Sequence, residues 1–349
     1  MKKPSKGNRR RVLSPETEST VLPDLEWGTL SRFVPDEIKA TFGGDIQAAF
    51  PAIAKNAEQM SLIENAIHQI PTEHRFVRQD STQFRMPPNS VHLVLTSPPY
   101  WTLKQYRDHN RQLGHVVNYD EFLSQLDAVW SACYDALVAG GRLVCVVGDV
   151  CLSRRKNNGR HTVVPLHASI QEHCRKIGYD NLAPIIWHKI ANASYEAENG
   201  TSFLGKPYEP NGVIKNDIEF ILMQRKSGGY RSPDLSTRVL SLLRTTDHAE
   251  WFQQIWEGLT GASTKSHPAP YPLELATRLI KMFSFVGDTV LDPFMGTATT
   301  NVAAAHAGRH SVGVEVDPHY FEIAAKRMMT EASTLFAKVN CEDGGRTAA

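Results

Sequence analysis

The sequence predicts an α/β fold, a mostly parallel sheet with helices on both faces. Three observations carry that prediction. Apolar runs of strand length alternate with amphipathic segments of helix length, as in βαβ units. The strand runs are apolar nearly throughout, which is how strands buried on both faces read. Several of them stop at an acid, a glycine or a proline, so polar chemistry gathers at strand ends.

The elements follow in order. Residues 1–24 carry Lys2, Lys3, Lys6, Arg9, Arg10 and Arg11 before the first acid, Glu16, and read as a disordered basic arm. Residues 25–73 form a helical region, with Met60, Ile63, Ala66 and Ile67 on one face, expected to cover an edge of the sheet. His74 to Ser81 reads as a strand ending near Asp80, and Val91 to Leu95 as the next. The connection between them has room for no more than a single helical turn. Phe122, Leu126, Val129, Trp130, Cys133 and Leu137 make a helix stopped by Gly140-Gly141, and Arg142 to Val147 the strand after it. Leu166, Ile170, Cys174 and Ile177 repeat the pattern up to Gly178, followed by the strand Leu182 to Trp187.

Residues 74–189 thus make one half of the main domain. The rhythm then breaks over 190–264, apart from the strand-like Ile218 to Gln224, and this stretch reads as an inserted recognition region. Residues 265–335 resume the alternation as the second half, and 336–349 read as a disordered tail.

The 349 residues carry a formal net charge of +1, so bulk electrostatics alone would not hold a polyanion. No apolar run approaches the roughly 18 residues of a membrane span, and no apolar stretch opens the chain as in a secretory signal. The expected location is cytoplasmic, without membrane contact. The five cysteines form no C-x-x-C pair and show no ligand spacing with histidine, so neither disulfides nor a metal site is expected.

Two stretches carry chemistry. Leu93 to Thr96 runs into Ser97-Pro98-Pro99-Tyr100-Trp101. Neither proline has an N–H to continue a ladder, so backbone carbonyls are left facing whatever lies beyond the strand. With the Ser97 hydroxyl as acceptor and two flat aromatic faces, the element can hold a planar group bearing an amino donor, such as a nucleobase. Alone, Pro-Pro-Tyr reads first as a strand-ending turn with its aromatics packed on the core. The second stretch, Val290 to Thr300, reads as a strand, a tight turn and a helix start around Asp292-Pro293-Phe294-Met295-Gly296-Thr297. Gly296 lets the backbone approach a ligand closely, and Glu315, closing the next strand, can accept both hydroxyls of a ribose. The helix after the turn is expected to begin with ordinary φ at Ala298.

The first stretch resembles motif IV of the DNA amino-methyltransferases, (Asp/Asn/Ser)-Pro-Pro-(Tyr/Phe/Trp). The second resembles that family's S-adenosylmethionine motif, with Ala298 where its Phe-x-Gly-x-Gly pattern has the second glycine. The lead-in Ser266-His267-Pro268-Ala269-Pro270-Tyr271-Pro272 fits as well. Catalytic motif first and cofactor motif last is the β-class order, and the likeness runs from about Phe76 to Met328. It implies a Rossmann-like S-adenosylmethionine-dependent methyltransferase fold, circularly rearranged, with an inserted target-recognition region. By the same resemblance Ser97, Pro98, Pro99 and Tyr100 are catalytic. The cofactor would be held by Asp80, Ser81, Thr96, His267, Pro268, Asp292, Pro293, Phe294, Gly296, Thr297 and Glu315. No metal is implied.

The implied reaction is direct methyl transfer to the exocyclic amino nitrogen of a base flipped from double-stranded DNA and stacked on Tyr100. Serine at the first motif position favours cytosine N4 over the alternative, adenine N6. A carbon-5 cytosine enzyme would need a Pro-Cys nucleophile, and no cysteine here follows a proline. A non-catalytic DNA-binding or specificity subunit is the rival of another class, and RNA or protein-glutamine methylation the more distant one. DNA phosphates would meet Arg154, Arg155, Lys156 and Arg160 on a charged loop at a strand's carboxyl end, and Lys189 after Trp187-His188. Within the insertion they would meet Arg225, Lys226, Arg231 and Arg238. A cognate restriction endonuclease is the natural partner, and a monomer or weak homodimer the expected state.

Overall fold

The computed structural model describes residues 26–43, 45–103, 107, 111–155, 157–189, 216–261, 271–332 and 336–344. The expected basic arm, Lys156, residues 190–215 of the expected insertion, His267 and Pro268 lie outside the described residues.

A nine-stranded sheet organises the chain, in the order β11-β1-β10-β9-β2-β3-β7-β6-β8. The strands are β1 (Thr72–Arg78), β2 (Val91–Thr96), β3 (Leu137–Val147), β6 (Tyr179–His188), β7 (Ile218–Lys226), β8 (Ile255–Trp256), β9 (Thr289–Asp292), β10 (His310–Glu315) and β11 (Ala337–Asp343). A separate hairpin pairs β4 (Val150–Leu152) with β5 (Thr162–Val164). All pairings in the sheet are parallel except those of β7, which runs antiparallel to both β3 and β6. The α/β expectation is met.

The helices are α1 (Asp36–Ala40), α2 (Ile46–Lys55), α3 (Ala57–Ile67), α4 (Tyr119–Ala136), α5 (Leu166–Ile177), α6 (Leu235–Leu240), α7 (Thr245–Trp251), α8 (Leu273–Phe283), α9 (Thr299–His306) and α10 (Pro318–Glu331). Their ends follow local chemistry. The Asn118 side chain accepts the Glu121 N–H to start α4, and Asp317 accepts the His319 N–H to start α10 with Pro318 behind it. Alternation along the central strands feeds two cores. Val94, Leu143 and Cys145 pack with Phe122, Leu126 and Trp130 of α4. Leu93, Leu95, Val144 and Val146 pack with Leu275, Leu279 and Ile280 of α8 on the other face. Each fully buried aliphatic or aromatic side chain stabilises the fold by about 1.5–3 kcal/mol.

As the short spacing requires, the connection from β1 to β2 holds no helix; β10 and β9 lie between the two strands, so it crosses the sheet. Two sequence expectations are corrected here. The tail does not read as a strand by itself, but at 337–343 it forms the parallel edge strand β11 on β1, with Glu342 held by Arg75 at 2.8 Å and Asp343 by Arg78. The N-terminal helices cover no sheet edge. Ile38, Ile53, Met60 and Ile63 pack on Leu235, Val239 and Leu240 of α6 and on Val286, beneath the amino end of β9. Within 190–264, the strand-like stretch expected at Ile218 to Gln224 is β7. β7 fills the sheet between β3 and β6, because Ile221 and Leu222 each need one of its two cores.

Candidate active site

The connection from β2 leads to β3 on one side, while β9 leads to β10 on the other. The β2–β9 boundary is therefore where the winding reverses, and ligands in open α/β sheets bind at the carboxyl ends beside such a point. Ser97 follows β2 and Asp292 closes β9. One open cleft lies over these ends. Ser97 and Pro99 line it together with Asp80, Ser81, Pro293, Phe294, Gly296 and Glu315. The two stretches singled out in the sequence, nearly two hundred positions apart, thus share one space.

The turn after β9 is held by its acid. Asp292 is 2% exposed, and its Oδ1 accepts from the Thr96 hydroxyl at 2.6 Å and the Phe294 N–H at 3.0 Å. Its Oδ2 accepts from Thr300 at 2.6 Å and Tyr271 at 3.4 Å. Burial pushes this carboxyl up, and the four donors pull it back down. Asp292 and Thr96 are therefore spent on fixing the turn and do not line the cleft. Nor does Thr297, whose carbonyl accepts from Arg327 at 3.1 Å. Of the expected cofactor set, Asp80, Ser81, Pro293, Phe294, Gly296 and Glu315 are the residues that line the cleft itself.

Gly296 adopts φ +53°, and its N–H reaches Glu315 Oε2 at 2.9 Å. Glu315 Oε1 accepts the Asp317 N–H at 2.8 Å. Each oxygen keeps a lone pair for a further donor. Burial raises the Glu315 carboxyl to about 7 despite those backbone donors. Ala298 departs from expectation: it sits at φ +64° and ψ 32°, in the left-handed region, fully buried at the start of α9. The turn demands that conformation whatever residue occupies it. Asp80 lines the cleft and accepts the Thr82 N–H at 2.9 Å in a local turn. The Ser81 hydroxyl is bound by the Pro293 carbonyl, which ties the β1 loop to the β9 turn.

Tyr100 is 6% exposed and packs in the core beneath the cleft. The Ser97 hydroxyl donates to Tyr100 Oη at 3.3 Å, and Tyr100 Oη donates to Glu219 Oε2 at 3.4 Å. Lys189 Nζ donates to Glu219 Oε1 at 2.7 Å. Lys189, expected on phosphate, is engaged here instead. Trp101, at φ +46°, turns the chain away behind the motif and packs on Tyr119 with ring centroids 5.0 Å apart.

The expected DNA-binding residues divide. Arg154, Arg155 and Arg160 lie exposed on the β4–β5 hairpin, which continues β3 beyond its carboxyl end. Arg225, Lys226, Arg231 and Arg238 do not belong with them. Because β7 is antiparallel, its last residues stand beside the first residues of β3, with Arg225 opposite Arg142, at the far end of the sheet. There Arg225 pairs with Asp180, Lys226 donates to the Leu137 carbonyl, Arg231 grips Asp288, and Arg238 lies over the Phe50 ring.

Arg111, Gln112, Leu113, Val314, Val316 and Tyr320 also line the cleft. The aperiodic stretch 102–117 after the motif reads as a loop suited to closing over a substrate or as plain surface, so the sequence pointed at the segment that carries Arg111 to Leu113 and missed Val314, Val316 and Tyr320. Val314 and Val316 flank Glu315 and were within reach. Glu219 gave no signal of its own.

The family of DNA methylases, the N6 and N4 methyltransferases, matches residues 91–326. The chain belongs to that family. Its motif order, with Ser97 on β2 well before Gly296 and Glu315, is that of the β-class. This methylase is 34% identical over 304 residues to the Type II methyltransferase M.MjaI of Methanocaldococcus jannaschii, across 78% of this chain and 97% of that protein. It is 31% identical over 282 residues to M.MthZI of Methanothermobacter thermautotrophicus, across 74% and 77%. A solved structure of TTHA0409, a putative DNA modification methylase from Thermus thermophilus complexed with S-adenosyl-L-methionine, superposes with a TM-score of 0.64. Identity there is 48%, over 78% of this chain and all of that one. The cytosine-N4-specific PvuII DNA methyltransferase shares the fold, with a TM-score of 0.52 at 16% identity over 80% and 99% of the two chains. Among the described residues no group of side chains suits a metal ion, and no helix is long and apolar enough to cross a membrane.

Proposed function

We propose that this methylase transfers a methyl group from S-adenosylmethionine to N4 of a cytosine flipped out of double-stranded DNA. The observation that carries the reading is the shared cleft, in which Ser97 and Pro99 stand across from Gly296 and Glu315. The residues fit the cofactor. Glu315 retains lone pairs for two ribose hydroxyls, Gly296 allows close backbone approach, and Phe294, Leu113 and Val316 offer apolar faces to an adenine. When bound, the cofactor supplies an electrophilic methyl group.

The chain's own residues do the rest by positioning. The Ser97 hydroxyl oxygen and the Pro98 carbonyl accept the two amino hydrogens, turning the nitrogen lone pair out of conjugation and toward the cofactor. The prolines fix those acceptors, and the flipped base would stack on Tyr100 once DNA binding uncovers its ring, which is buried in the free protein. Arg154, Arg155 and Arg160 meet the phosphates. A neutral serine hydroxyl, shorter than a carboxylate, supports cytosine N4 over adenine N6. The enzyme would act as a monomer or weak homodimer in the cytoplasm, protecting sites from a cognate endonuclease. Expressing it in a host without DNA methylation and analysing the nucleosides by mass spectrometry tests this. N4-methylcytosine is expected; N6-methyladenine would overturn the choice of base, and unmodified DNA the function.

A further inference from the structure

We propose that Ser97, Tyr100 and Glu219 form a directed proton path that carries one proton away from the methylated nitrogen, with Lys189 ion-paired to Glu219 at its far end. The proposal rests on amino-methyl transfer as read above, but not on which base is the target, since cytosine and adenine present the same amino group.

Ser97, at the cleft, donates its hydroxyl to Tyr100, and Tyr100 donates its hydroxyl to Glu219, at 3.3 and 3.4 Å. Every donor points away from the cleft, so the array is already oriented for outward transfer. Both links are long for O–H···O bonds, and catalytic hydrogen bonds commonly tighten only when substrate is bound. The array ends on a carboxylate that is 8% exposed, with the Lys189 ammonium 2.7 Å from its other oxygen. Lys189 supplies the opposite charge beside this buried acid. The strands explain the meeting: β7 runs antiparallel, so its first residues, Ile218 and Glu219, stand level with the carboxyl end of β3 and with His188.

The chemistry creates the need. As the nitrogen lone pair forms the bond to the methyl carbon, the carbon–sulfur electrons return to sulfur, and the nitrogen is left with one proton too many. That proton passes to Ser97 Oγ, the Ser97 proton to Tyr100 Oη, and the Tyr100 proton to Glu219 Oε2, which becomes a neutral carboxyl. A serine cannot itself keep the proton at neutral pH, unlike a carboxylate, and the path supplies the acceptor it lacks. Glu219 and Lys189 do not line the cleft and act through Ser97 and Tyr100, so both are positioning residues.

Glu219→Gln keeps the shape and an acceptor for Tyr100 but cannot take the proton. Single-turnover methylation should fall at least tenfold, with the Kd for DNA and for S-adenosylmethionine and the base-flipping fluorescence of a 2-aminopurine duplex within twofold of wild type. Tyr100→Phe should show a comparable fall, and the double variant no more than the larger single loss. Independently of turnover, difference infrared spectra of glutamate-labelled protein, wild type minus Glu219→Gln, should contain an ionised carboxylate. A wild-type rate in Glu219→Gln, additive losses in the double variant, or a carboxyl already protonated in the free enzyme would each overturn the path. N6-methyladenine from the wild type would overturn the cytosine assignment alone and leave the path standing.

Discussion

Arg231 and Asp288 meet in a two-pronged ion pair, at 2.7 and 2.6 Å, beneath the amino end of β9 and at the end of the sheet opposite Ser97. Asp288 is 3% exposed and also accepts the Phe285 N–H at 2.8 Å. An arginine that the sequence offers to DNA is in fact a strut between the α6 segment and the loop before β9.

Arg231→Ala should therefore cost stability rather than DNA affinity. Leaving Asp288 buried without its partner should lower the unfolding free energy by about 1–3 kcal/mol, as read by urea titration. A filter-binding curve should remain at the wild-type Kd. Weakened DNA binding in a variant of undiminished stability would return Arg231 to the recognition surface.

Asp292 holds Thr96, Thr300 and the Phe294 N–H in one buried knot. Asp292→Ala should cost about 3 kcal/mol through the donors left unpaired. Asp292→Asn, which keeps an acceptor, should cost less. Thermal unfolding of the two variants checks the order.

Ala298 bears a left-handed backbone that costs an L-residue roughly 1–2 kcal/mol. Ala298→Gly removes that strain and returns part of it as chain entropy. A net gain of up to about 1 kcal/mol is expected, visible as a higher Tm at unchanged methylation rate. A lower Tm would mean that the Ala298 methyl contributes more by packing than its φ costs.

Glu315 gives a pH dependence with a defined sign. Its carboxyl rises from an ordinary 4.5 to about 7 on folding. Its contribution to the stability of the free protein is therefore full below about pH 4.5 and is lost as pH rises through about 7. Cofactor binding runs the other way, because ribose hydroxyls need the carboxylate as acceptor. Affinity for S-adenosylmethionine should fall by up to about tenfold per pH unit below 7, with uptake of a proton on release. Calorimetry in buffers of different ionisation enthalpy would show it, and Glu315→Gln should bind weakly at every pH. A pH-independent affinity in the wild type would remove Glu315 from the ribose site.

The sequence by itself determined the α/β class, most strands to within a few residues, and the two motifs that meet at the cleft. Those properties are written locally: apolar runs such as Val91–Thr96 report burial on both faces, and Pro98, Pro99, Gly296 and Asp317-Pro318 impose backbone states through their own covalent structure. The tertiary structure alone decided direction and neighbourhood. A strand reads the same whichever way it runs. The antiparallel course of β7 sent Arg225, Lys226 and the following arginines to the far end of the sheet, and by the same reversal brought Glu219 to Tyr100. Residues 337–343 read as a tail because an edge strand takes its stability from the ladder of its partner, here β1, and only the folded sheet supplies it. Asp292 and Glu315 look alike as strand-ending acids, yet one is saturated by four donors of the turn and the other keeps lone pairs at the cleft. That difference lies in which neighbours the fold delivers to each carboxylate.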